Sequence, residues 1–174
     1  MKQNTELLKV LLNRTINAGI GPSALRNQGS KNVVAAARHY LRKVNFKKLS
    51  FLSQSNFYHA LDLHTVRMQQ SFPGKARHWG AARKALNLIL RDILYNQYLS
   101  RWLAFNRLEN WLELPLDSFT AKTLRRKLPK ISPVWKGIKN LTAEESMSYQ
   151  RAAAILAKAK GIAAVHLDIF YWRS

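Results

Sequence analysis

The stretch "GAARKALNLILRDILYNQYL", Gly80 to Leu99, decides how the chain is read. Turned at about 100° per residue, it places Ala82, Ala85, Leu86, Ile89, Leu90 and Ile93 on one apolar face. Lys84, Asn87, Arg91, Tyr95 and Tyr98 form the opposite, polar and aromatic stripe. This is the pattern of a long amphipathic helix, expected from Ala76 or Ala82 to Leu103.

The flanking segments repeat the pattern. Leu7, Leu8, Leu11, Leu12 and Ile16 recur at helical spacing until Gly19, Gly21 and Pro22 break the run. Ser30 is expected to cap a second helix carrying Val33, Val34, Ala37, Tyr40 and Leu41. "SQSNFYHALDLHTVRMQQ" reads as a third helix, ended by "SFPG". A short segment from Leu108 to Leu112 leads into "ELPLD". Asp117 is expected to cap a helix over Ser118–Lys127, and "LPKISPVWKG" reads as a loop. Thr142 and Glu145 make a capping box for the last strong helix, which Gly161 stops. "IAAVHLDIFYW" suits either a strand or a helix. The expectation is an all-α fold over residues 1–174 as one domain, in two lobes.

The chain has 29 Lys and Arg against nine Asp and Glu, a formal net charge of +20. The basic residues are interleaved with apolar ones from Lys2 to Arg173, which describes a folded basic domain and not a disordered arm. Such a field attracts polyanions, nucleic acid first and an anionic membrane surface second. A membrane-surface role ranks last, because the apolar residues are spread over many helices. The absence of cysteine excludes disulfides, a thiol nucleophile and a cysteine-held iron–sulfur cluster. The five histidines lack metal-ligand spacing, so no metal and no cofactor is expected. "MKQNTELLKVLLNRT" lacks the apolar core of a signal peptide, and no run is apolar enough to span a membrane. A cytoplasmic, nucleoid-associated location and a monomer are the resulting expectations.

Two residues carry the sharpest chemical signal. Lys84 adjoins Arg83, whose charge would depress the lysine pKa in a desolvated site, and a neutral lysine is a nucleophile. Asp117 follows it by 33 residues (117 − 84). A carboxylate at a helix N-terminus is held ionised by the backbone N–H groups, as a developing cation requires. The bland alternatives are a surface lysine and a plain cap.

"LPLDSFTAKTL" resembles the Pro-Val-Asp-x-His-Val segment of the helix-hairpin-helix DNA glycosylases, and "GAARKALNLIL" resembles the lysine-bearing helix before it. The nearest branch is the archaeal 8-oxoguanine glycosylases. In place of the family's Leu-Pro-Gly-Val-Gly hairpin this chain has "HWGAARKAL". The resemblance implies a two-lobed helical enzyme with Lys84 and Asp117 as the catalytic pair. Its partner would be double-stranded DNA from which one modified base is extruded and excised. The substrate would be an oxidised purine or a hypermodified phage base such as glucosylated hydroxymethylcytosine, in repair or in antiviral defence respectively.

Further candidates follow from residue type. Arg26, Asn27 and Gln28, in the break "GPSALRNQG", suit base edges or the gap left by an extruded base. Arg77, Arg83, Arg91, Arg125 and Arg126 are candidate phosphate contacts. Asp168, Trp135 and Trp172 are candidates for a base pocket. The rival reading is a non-enzymatic basic DNA- or RNA-binding protein. The observation that separates the two readings is whether the Lys84 amine and the Asp117 carboxylate open into the same positively charged cleft.

Overall fold

The computed structural model describes residues 5–25, 28, 30 and 32–171. Among them every regular element is helical. The α-helices are α1 (Thr5–Gly19), α2 (Val33–Leu41), α3 (Phe46–Ser50), α4 (Gln54–Ser71), α5 (Trp79–Tyr95), α6 (Gln97–Leu103), α7 (Ser118–Lys127), α8 (Ala143–Lys160) and α9 (Leu167–Tyr171). Short 3₁₀ turns at Gly74–Ala76, Phe105–Trp111, Ile138–Asn140 and Ala164–His166 join several of them.

Helix α5 organises the molecule. Its predicted apolar face, Ala82, Ala85, Leu86, Ile89, Leu90 and Ile93, is wholly buried. The helix ends earlier than the periodicity suggests. Asn96 leaves helical geometry, and its Oδ1 accepts from the N–H groups of Tyr98 and Leu99, so it caps α6 as a new start. A capping side chain at that position competes with continuation of the helix.

The core divides in two. One cluster runs through α1 to α6 and on to Leu112, and takes in Val165. The other gathers Leu114, Leu116, Ala121, Leu124, Leu141, Tyr149, Ala152, Ala153, Ala157, Leu167 and Tyr171. The chain passes between them in two residues, from Leu112 to Leu114. At the N-terminus of α5, Gly80 brings the halves together: a Cβ there would lie 2.3 Å from the Ile138 carbonyl oxygen and 2.8 Å from the Leu141 Cβ. A larger residue would force the halves apart.

Other local expectations resolve in physical terms. "IAAVHLDIFYW" is helical, as a 3₁₀ turn followed by α9. The Thr142–Glu145 capping box forms, and Gly161 ends α8 with φ of 68°. Ser30 does not cap α2. The cap position is Asn32, whose N–H donates to the Ser30 hydroxyl, so helical geometry starts at Val33. The small helix α3 has no clear periodic signal. It is set by the Asn45 cap and by Phe46, which packs edge-on against Phe105 at 6.3 Å.

Candidate functional site: a cleft between the two cores

The segment that carries Asp117 is fixed one residue at a time. Glu113 accepts from Arg83 Nε at 2.8 Å and Nη2 at 2.7 Å, and from Asn87 Nδ2 at 2.8 Å. Leu114 is held at both backbone groups by the Gln150 side chain of α8, each bond 2.9 Å. Leu114 and Leu116 are buried in the second core. Asp117 then caps α7 with one oxygen: Oδ1 accepts from Phe119 N at 2.9 Å and Thr120 N at 2.8 Å. The Thr120 hydroxyl returns the contact by accepting from Asp117 N at 2.8 Å, which closes a capping box. All the carboxylate's hydrogen bonds to described residues fall on Oδ1.

Lys84 and Asp117 line the same cleft, together with Arg91, Asp92, Tyr95 and Asp168. It has a volume of about 700 Å³, and its walls come from the end of α1, one side of α5, the Pro115–Asp117 segment and α9. An adjoining cleft of about 540 Å³ also has Lys84 and Asp117 in its wall, with Gln28, Trp135, Lys136 and Lys139. The lysine and the aspartate therefore stand where the two spaces meet. Both are half-buried.

Among the described residues the wall of the first cleft is of mixed charge. Three carboxylates there, Asp92, Asp117 and Asp168, face two cations, Lys84 and Arg91. A third of the chain's nine acidic residues gathers there. The second cleft is more basic, with Lys136 and Lys139 in its wall.

The guanidinium of Arg91 reaches Asp92 through Nη2 at 2.7 Å and also bonds Asp168 through Nη1. Burial pushes the Asp168 carboxyl above the usual range; Arg91 pulls it down, and Asp117 and Asp92 add to the rise. Tyr95 is pushed up to about 12, by burial first, so its hydroxyl remains a donor. That hydroxyl bonds His166 Nδ1 at 3.0 Å, and His166 Nε2 bonds Glu109 at 2.7 Å.

Several expected DNA contacts serve elsewhere. Arg83 is buried, not a phosphate contact. Besides Glu113 it holds Asp62 at 2.8 Å and Thr65 at 3.0 Å, because α4 and the crossover segment enclose its side of α5. Burial opposes its charge, but Glu113 and Asp62 outweigh that and raise its pKa. Asn87, expected on an open stripe, is buried beside it. Arg91 belongs to the cleft wall, and its donors bond Asp92 and Asp168. Arg125 braces the loop after α7, donating to the Pro129 and Ser132 carbonyls. Arg77 and Arg126 are exposed, although Arg77 Nε donates to the Phe72 carbonyl at 3.0 Å.

Of the proposed pocket residues, Asp168 lines the first cleft and Trp135 the second. Trp135 packs edge-on to Tyr149, centroids 5.8 Å apart. Gln28 is buried in the wall of the second cleft. Arg26, Asn27 and Trp172 lie outside the described residues. Among the described residues no group of three or more His, Asp or Glu could hold a metal, and no helix is long and apolar enough to cross a membrane.

The residues that the sequence did not disclose are Glu113, Gln150, Asp92 and the Glu109–His166–Tyr95 chain. Their partners lie far away in sequence, and only Asp92, next to Arg91, had a local signal. Comparison of the chain with protein-family models, with curated proteins and with solved structures finds no match.

Proposed function

We propose that the chain is a DNA glycosylase of helix-hairpin-helix type, which extrudes a modified nucleotide from double-stranded DNA and cleaves its N-glycosidic bond. One observation carries the reading: Lys84 and Asp117 share a cleft between two helical cores, and the aspartate spends only one oxygen on its helix cap. An N-capped carboxylate is fixed and aimed, so it stabilises a cationic transition state without reorganising. The charge of +20 over the whole chain draws the polyanion in.

The chemistry follows from those roles. The neutral Lys84 amine forms a bond to the sugar C1′ as the bond from C1′ to the base nitrogen breaks. The base leaves with that electron pair and takes up a proton, and the amine gives one up. Asp117 stabilises the positive charge that builds on the sugar ring and carries protons between the two. Ring opening gives a Schiff base, from which β-elimination nicks the strand or water restores the lysine. The base is an oxidised purine or a hypermodified base of phage DNA. The exposed Arg77 and Arg126 serve as phosphate contacts.

The test is incubation with duplex DNA carrying candidate bases, including whole phage DNA, with release of free base as the readout. Borohydride traps the Schiff base as a covalent protein–DNA adduct. Release from at least one such DNA, with an adduct on Lys84, is the expected result. Binding without release from any modified DNA would leave the non-enzymatic nucleic-acid-binding reading in its place.

A further inference from the structure

From Leu7 to Leu61 the chain contains no Asp or Glu and nine Lys and Arg. Of the seven among them that the structure describes, none lines either cleft. Helix α3 and the turn after it present Lys47, Lys48 and Phe51 to solvent, and the 3₁₀ turn Phe105–Trp111 presents Arg107 beside them. None of these four residues lines either cleft.

Phe51 is 58% exposed, although the core is ample enough to take other phenylalanines completely. It follows directly on α3, and its N–H donates to the Lys48 carbonyl, so the ring stands out from the end of the helix. The Arg107 guanidinium lies over the ring, 4.9 Å from its centroid. The platform beneath is rigid: Ser50 Oγ donates to the Leu103 carbonyl, and Phe46 packs against Phe105. An exposed ring with one face under a guanidinium and lysines within one turn matches what an unstacked base and its phosphates require. The ring takes the base, the guanidinium extends the stack, and the lysines neutralise the backbone. Duplex DNA keeps its bases stacked inside and cannot use the ring.

We propose that Phe51 and Arg107, flanked by Lys47 and Lys48, form a second nucleic-acid surface that binds a single-stranded segment. It lies apart from the cleft and stands independently of the chemistry assigned there.

The measurement is fluorescence anisotropy of a labelled oligothymidylate titrated with the full chain. Phe51→Ala and Arg107→Ala are each expected to weaken binding by about tenfold, the scale of one base–aromatic stack. Phe51→Tyr retains binding. Phe51 is exposed, so the circular dichroism of its variants is expected to match the parent. Base release from duplex DNA is followed in parallel. Loss of oligothymidylate binding in Phe51→Ala upholds the surface even if no base is released from any DNA. Oligothymidylate binding that falls with salt but is indifferent to Phe51→Ala overturns it. So does Phe51-dependent binding to phosphatidylserine vesicles with none to the oligothymidylate.

Discussion

Arg83 and Glu113 meet through two hydrogen bonds of 2.8 and 2.7 Å, at the point where the chain leaves one core for the other. One partner is next to Lys84 and the other lies four residues before Asp117. The pair thus ties together the two elements that carry the candidate catalytic groups. Both side chains are largely enclosed, 8% and 12% exposed, so the contact is little screened by water.

Removing Glu113 strips the enclosed Arg83 guanidinium of two hydrogen bonds and leaves it the exposed Asp62 as a carboxylate partner. Glu113→Ala is expected to destabilise the fold by about 3 kcal/mol or more, read by urea unfolding. Replacing both residues, as Arg83→Met with Glu113→Leu, is expected to recover a large part of that loss. A single variant as stable as the parent would mean that the pair does not hold the halves together.

Asp117 has two roles that substitution separates. Asparagine is as good an N-cap as aspartate, whereas alanine costs about 1 kcal/mol. Asp117→Asn is therefore expected to melt with the parent and Asp117→Ala below it, while both lose base release. Thermal melts and a release assay on the same preparations check this. Full activity in the asparagine variant would leave Asp117 as a cap alone.

Asp168 gives a pH dependence with a defined sign. Its folded pKa is raised, so the native state takes up this proton before the unfolded chain does. The group's contribution to stability is present below the ordinary carboxylate pKa and is lost as pH rises through the folded value. Asp168→Asn removes that loss, and Arg91 keeps Asp92 as a partner. The variant's stability relative to the parent is expected to be more favourable at pH 7 than at pH 4, by melting at both. A difference that is constant, or larger at the acid end, would contradict the assignment.

Gly80 tests the close approach of the halves. Its substitution by alanine would drive a Cβ into backbone at 2.3 Å, which no rotamer change relieves. A loss of about 1–3 kcal/mol is expected. Gly74, with nothing within 4 Å of an added Cβ, is the matched control.

The fold was legible where the period was strong. The buried face of α5, the Asp117 cap over Ser118–Lys127 and the Thr142–Glu145 box are all local patterns, set within a few residues. The two residues proposed for chemistry do share a cleft. What escaped was non-local. Glu113 looks like one acid in a leucine-rich turn until Arg83, 30 residues before it, comes alongside. Arg83 and Asn87 looked solvated because helical periodicity describes one apolar face and does not see a second element covering the polar one. The charge of the cleft escaped for a similar reason. Asp92, Asp117 and Asp168 are spread over 77 residues of a basic chain and gather only when α5, α7 and α9 pack.

The most direct measurement is the rate of base release from a modified duplex by the parent, by Lys84→Gln, by Asp117→Asn and by the double variant. The parent is expected to release the base, and Asp117→Asn to be slower by about a hundredfold or more at unchanged melting temperature. The double variant is expected to release none. Release by the double variant at the parent's rate would contradict the central claim that Lys84 and Asp117 act together in this cleft.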